Sequence, residues 1–292
     1  MTKSRKIIIA AISLIVVILI AGGAWLQVSG SSKNETLVFG VAPGPYGDMI
    51  RKAIQPELEK KGYKVEIKEF TDYVQPDLAL GNKEITANLF QHERYLKKFS
   101  ADHSLELSSI TNVPTAALGV YSKTLTAGSL EELKSKLKPG DIVSVPNDPT
   151  NQARALQVLV KSGLITIKNE IDPTKASEKD IDQNPYGLVF QPVEAAQLPR
   201  SLDSVTLSAI NGNYAIAAGI PLGTAVIKEE LSEDLKNVIA IRTEDKDKDF
   251  AKAIVEVVNS EAFKNEIESD QHEFKDFQRP QWYSEKWNIA NK

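Results

Sequence analysis

The sequence predicts an α/β protein. Short apolar, β-branched runs recur along the chain. Between them lie segments with apolar residues at helical spacing, several opening on a capping residue or proline and one closing on glycine. From Asn34 to Lys292 there are 259 residues, which is enough for one large or two medium domains with a proper core.

The elements follow in order. Residues 1–6 (MTKSRK) carry Lys3, Arg5 and Lys6, and residues 7–26 (IIIAAISLIVVILIAGGAWL) carry no charge. A basic segment before a long apolar run is an export signal or a membrane anchor. As a helix, 20 residues span about 30 Å, the thickness of the bilayer's hydrocarbon core, so an uncleaved transmembrane helix at 7–26 is expected. Residues 29–34 (SGSSKN) then form a flexible tether, which makes 1–33 anchor and tether. Everything beyond is expected on the extracytoplasmic face of the cell membrane.

Residues 36–41 (TLVFGV) read as a buried strand, stopped by Pro43-Gly44-Pro45. A helical stretch runs to Lys61, with a kink or restart at Pro56. Strands are predicted at 63–70 and 85–89, and helices at 73–80 and 93–100. A strand at 115–121 precedes a helix to Leu137, opened by Ser129 and Glu132 as a capping box. After a strand at 141–145, Asp148 and Pro149 open the clearest helix of the chain as N-cap and first turn. Its buried stripe is Leu156, Leu159 and Val160, and Gly163 ends it. Residues 168–187 are polar and proline-bearing, a loop or small helix. Strands follow at 188–193, 205–210, 224–227 and 238–241, with a short helix at 213–218. Two helices are predicted in the tail from Lys246, with Phe250, Ile254 and Val257 on one face and Trp282, Tyr283 and Trp287 folded back on the body.

Composition excludes some functions. Residues 1–33 hold four cations and no acid, so the −4 of the whole chain becomes −8 beyond them. An acidic body does not bind nucleic acid, which selects basic patches. The three histidines, His92, His103 and His272, have no ligand-type spacing and there is no cysteine, so no metal site is expected. There is no Gly-x-Ser-x-Gly, no catalytic cysteine and no phosphate-binding glycine loop, so neither an enzyme nor a cofactor is indicated.

What remains clusters at strand–helix junctions, where α/β sheets form their ligand sites. Phe90-Gln91-His92 ends a strand; alone, His92 reads more readily as a structural histidine than as a cleft residue. Asn151 and Arg154 sit one turn apart at a helix N-terminus, where amides and a guanidinium suit a carboxylate; a capped helix with a solvated arginine fits the same residues. Asn211 also lies between a strand and a helix, where asparagine is often a plain cap. Tyr73 follows a strand and is either a pocket wall or a core aromatic.

Five stretches lie in the order and spacing of one family: 71–76 (TDYVQP), 87–92 (ANLFQH), 145–151 (VPNDPTN), 197–202 (QLPRSL) and 210–214 (INGNY). With them the chain resembles the methionine-binding lipoproteins, the solute-binding components of amino-acid ABC importers, over about 38–264. The resemblance implies a two-lobe fold of the periplasmic-binding-protein type II kind, with the ligand in the cleft between lobes. Lobe one is expected at 35–118 plus 223–292 and lobe two at 119–222. It implies that Tyr73, Phe90 and His92 wall a side-chain pocket. It further implies that Arg154 grips the ligand carboxylate beside Asn151, that Asn211 bonds the head group, and that Asn237 also reaches the ligand. The implied partners are an amino acid, methionine foremost, an ABC permease and its ATPase. A methionyl dipeptide or another apolar amino acid is the alternative ligand; an anchored hydrolase and a surface interaction protein are more distant ones.

Three departures stand out. Gly23 occupies the place of the family's lipid-attachment cysteine, which throws tethering onto the 7–26 helix. Tyr46 stands where many members have histidine, and Thr115-Ala116 where they carry a Glu-Pro or Tyr-Pro pair.

Overall fold

The computed structural model describes residues 35–290. The helix expected at 7–26 lies outside them. Among the described residues no helix is long and apolar enough to cross a membrane.

Two five-stranded sheets organise residues 36–290. The first begins with β1 (Thr36–Val41), β2 (Lys64–Glu69), β3 (Ala87–His92) and β4 (Leu107–Asn112). β1 lies between β2 and β3 and runs parallel to both. β10 (Asn237–Arg242) then inserts antiparallel between β3 and β4. In the second sheet β6 (Ile142–Pro146) lies parallel between β7 (Val189–Val193) and β8 (Leu207–Ile210). β5 (Gly119–Tyr121) pairs antiparallel with β8 and with β9 (Ile227–Lys228).

The chain therefore crosses between sheets twice, at 113–118 and 229–236. The crossings are tied together: Leu118 and Glu229 exchange backbone and side-chain bonds, Glu229 N–H to Leu118 O at 3.1 Å and Leu118 N–H to Glu229 Oε2 at 2.9 Å.

The core follows the sheets. Leu37, Phe39 and Val41 of β1 pack on the helices α1 (Pro45–Met49) and α2 (Gln55–Lys60), and on α9 (Asp249–Val258) and α10 (Glu261–Ile267) from the tail. Phe250, Ile254 and Val257 lie in that core as their spacing predicts. Tyr283 of α11 (Gln281–Trp287) is fully buried there, with Trp282 and Trp287 against its rim. The second sheet buries Val143 and Val145 with Leu156 and Leu159 of α6 (Pro149–Lys161).

Several predicted elements differ from those observed. The stretch 45–60 stays helical through Pro56, which lacks an N–H and crowds the preceding turn. The chain absorbs this by widening Ile50–Ile54 into a π-helical turn, where Gln55 N–H reaches back to Ile50 O. Val160 is only half-buried; Ala155 and Val158 complete the stripe instead. β4 escapes the pattern because LSSITN is half-buried at every position and shows no alternation. Of 115–121 only Gly119–Tyr121 is strand, because residues before it form the first crossing. The expected strand at 224–227 is a 3₁₀ turn (Leu222–Thr224) followed by β9. The tail holds three α-helices instead of two.

Candidate ligand-binding site

The strand ends place the site. Tyr73 follows β2 and precedes α3 (Gln75–Gly81), Phe90 lies late in β3, and His92 ends that strand as N-cap of α4 (Glu93–His103). Asn237 starts β10; because β10 runs antiparallel, its first residue pairs with His92 at the same sheet edge. From the second sheet, Asn151 and Arg154 stand in the first turns of α6, and Asn211 joins β8 to α8 (Gly212–Ala217). These seven side chains, all buried, line one cavity between the sheets. It spans about 320 Å³ of space between atoms, open solvent at its mouth included.

Asn151 is the hub. Asp148, the N-cap of α6, accepts from the Asn151 backbone N–H at 2.9 Å and holds its side-chain amide at 3.1 Å. That turns Asn151 Oδ1 into the cavity wall, where Asn211 Nδ2 donates to it at 2.8 Å and an Arg154 NH1 hydrogen at 3.3 Å. His92 Nδ1 accepts from Tyr95 N–H at 3.1 Å, so the ring proton sits on Nε2 and points to Asn151 Oδ1 at 3.2 Å. Burial foremost, and then the Arg154 charge, pushes the His92 pKa down to about 3. The ring is a neutral donor.

Arg154 is held from behind. Its Nε and NH2 donate to the two oxygens of Glu229 at 2.7 and 2.6 Å, a bidentate pair with both side chains buried. The guanidinium edge beyond these bonds lines the cavity. Burial is the largest influence on Asp148 and raises its pKa, against the bonds from Asn151 and Thr150.

The other wall is aromatic. Tyr73 lies with its ring centroid 5.7 Å from Phe90, 6.0 Å from Tyr95 and 5.0 Å from Tyr214. Its hydroxyl donates to Asn213 Oδ1 at 2.6 Å, while Asn213 Nδ2 donates to Pro43 O at 2.9 Å. Gly44 makes this approach possible: its φ is +123°, and a Cβ there would lie 2.5 Å from Asn213 O. Tyr46 accepts from Ala116 N–H at 3.2 Å, so two of the departures from the family pattern meet at one hydrogen bond.

Sequence reasoning missed several lining residues. Tyr95 was within reach of it, three residues after His92 on the same helix face. Gln91, Gly212 and Asn213 lie inside the recognised stretches but had no role attached, and Tyr46 and Ala116 entered only as departures from the family pattern. Glu229 had no signal at all, since its surroundings, 228–230 (KEE), read as a solvated surface. Among the described residues no group of three or more His, Asp or Glu side chains is arranged to hold a metal ion.

The arrangement joins guanidinium and amide donors, unpartnered amide acceptors and an aromatic wall, which suits a small zwitterion with an apolar tail. The comparisons agree with that chemistry. D-methionine-binding lipoprotein MetQ of Salmonella typhi is 37% identical over 243 residues, covering 81% of this chain and 87% of the relative. Outer membrane lipoprotein 3 of Mannheimia haemolytica is 35% identical over 241 residues, covering 82% and 89%. Among solved structures, a nutrient binding protein from Burkholderia cenocepacia bound to methionine superimposes with a TM-score of 0.74 at 36% identity. It covers 82% of this chain and 97% of that one. The two-sheet α/β architecture is thus that of the periplasmic-binding-protein-like neighbours. The family model described as NlpA lipoprotein matches residues 37–282, and the chain belongs to that family.

Proposed function

We propose that the protein is the extracytoplasmic solute-binding component of an ABC importer and that it captures methionine. One observation carries this: seven side chains from two sheets meet around a single buried cavity whose donors, acceptors and aromatic wall match the parts of that amino acid. The relatives named for D-methionine and the neighbour bound to methionine support it. In this reading Arg154 holds the carboxylate, Asn151 beside it orients the surrounding donors, Asn211 and Asn237 hold the head group, and Tyr73, Phe90 and His92 enclose the thioether chain.

The sheets are the cores of two lobes that close on the ligand. In this reading lobe two extends through Lys228 instead of ending at 222, a boundary that the pairing of β9 with β5 supports. The protein releases its ligand unchanged to a permease and its ATPase. Tethering falls to residues 7–26, because the chain has no cysteine to carry lipid.

Titration calorimetry with L- and D-methionine, other apolar amino acids and methionyl dipeptides tests the reading. Methionine should bind tightest. Arg154→Ala should weaken it by about 2–5 kcal/mol, since a buried carboxylate loses its charged partner. Unchanged affinity in that variant removes Arg154 from the site, and turnover of an ester or peptide by the wild type would replace the reading with a hydrolase.

A further inference from the structure

Two buried carboxylates stand one residue back from the cavity, and each orients an amide on its wall. The Asp148 side orients Asn151 and, through it, Asn211: Asn211 Nδ2 is committed to Asn151 Oδ1 at 2.8 Å, which leaves Asn211 Oδ1 buried with no hydrogen-bond partner among the described residues. The Asp77 side repeats the logic on the first sheet. Asp77 of α3 is fully buried against β3, and its Oδ1 receives Asn88 Nδ2 at 2.8 Å and Gln91 Nε2 at 2.6 Å. Gln91 Nε2 also donates to Asn88 Oδ1 at 3.1 Å.

Both neighbours of Gln91 Nε2 are acceptors. The amide therefore cannot turn over without setting its oxygen against two other oxygens. Two donors on Asp77 Oδ1 also keep any proton off that atom, so the orientation holds whatever the charge of Asp77. Gln91 is 3% exposed and lines the cavity, and its Oε1 is buried with no hydrogen-bond partner among the described residues. Among the described residues no carboxylate lines the cavity.

We infer that Gln91 Oε1, held outward by Asp77, is a second neutral acceptor for the ligand's ammonium group alongside Asn211 Oδ1. Gln91 is then a determinant of specificity for a free amino group, and Asp77 is its positioning residue. The inference rests on the proposed amino-acid-binding function. Buried groups with an unmet acceptor are costly, and two such oxygens on one small cavity are resolved by a ligand that brings several N–H donors. An ammonium brings three and a hydroxy-acid only one.

The test compares methionine with 4-(methylthio)butanoate, which lacks only the ammonium, on wild type, Gln91→Ala and Asp77→Ala. Calorimetry serves for the tight ligand and NMR titration for the weak one. A hydrogen bond to a charged group corresponds to about a 10- to 100-fold change in dissociation constant. Gln91→Ala should weaken methionine by that factor and leave 4-(methylthio)butanoate unchanged, which also shows the variant to be folded. Asp77→Ala, which removes the acceptor that fixes the Asn88 and Gln91 amides, should weaken methionine selectively in the same way. Equal weakening of both ligands, or of neither, overturns the inference while methionine binding by the wild type stands. A wild type that does not bind methionine overturns the functional reading, and this inference with it.

Discussion

His92 and Asp77 are both buried, on β3 and on the helix before it, and their protons respond to acid in opposite directions. Burial foremost, then the Arg154 charge, lowers His92 to about 3, whereas burial raises Asp77 to about 7 against its amide bonds. Ordinary values are about 6.5 and 3.9. As pH falls below 6.5 the unfolded chain takes up a proton at His92 that the folded protein refuses, so stability is lost. As pH falls through 7 the folded protein takes up a proton at Asp77 that the unfolded chain refuses, so stability is gained. Each contribution is on the order of a few kcal/mol and they largely offset one another between about pH 7 and 5. His92→Gln should uncover the Asp77 gain, with urea-unfolding free energy rising from pH 7 to 5; Asp77→Asn should uncover the His92 loss, with the free energy falling. Parallel pH slopes in the two variants and the wild type would refute the pairing. Neither behaviour was legible in the sequence. His92 was visible as a strand-end histidine, but its neutral state comes from Arg154 and from burial by elements distant in the chain, and Asp77 was read as a helix residue. Glu229, 75 residues from Arg154, was invisible for the same reason.

At the scale of elements, capping chemistry was the most legible signal and proves the most useful. Asp148-Pro149 marked the start of α6, and the same Asp148 that caps the helix orients Asn151 toward the cavity. Local rules reach such a feature because cap and helix are adjacent in sequence. They do not reach β4, whose place is fixed by its partner β10, more than a hundred residues later. Nor do they reach the ends of β5 and β9, which are set by the crossings. The dual role of Asp148 separates two effects. Asp148→Ala should cost about 1 kcal/mol of stability through the lost cap, and should also weaken methionine by about tenfold, because Asn151 loses the group that aims its oxygen. Asp148→Ser restores an N-cap acceptor without the bidentate hold on the Asn151 amide. It should recover most of the stability, read by thermal unfolding, and little of the affinity, read by calorimetry. Recovery of both together would reduce Asp148 to a cap.

Across the whole molecule the sheets touch through their loops on either side of the cavity. Tyr73, after β2, donates to Asn213 of α8 at 2.6 Å, Asn213 donates back to Pro43 after β1 at 2.9 Å, and His92 meets Asn151 at 3.2 Å. In the proposed two-lobe clamp these bonds belong to the closed arrangement alone. A ligand that contacts both sheets adds to the same state, and its affinity depends on how much that state is favoured beforehand. Tyr73→Phe keeps the ring against Phe90 and Tyr214 but removes the hydroxyl, leaving Asn213 Oδ1 buried without its donor. Such a loss costs about 1–3 kcal/mol, all of it in the closed state, since opening returns Asn213 to water. The variant should therefore release methionine about 5- to 100-fold faster, with the association rate changed far less, in stopped-flow measurements that follow tyrosine or tryptophan fluorescence. Its ligand-free stability should fall by less than its affinity, because open protein stays folded. A lost association rate at constant release would mean that Tyr73 steers ligand entry, and unchanged kinetics would mean that the Tyr73–Asn213 bond adds nothing to closure.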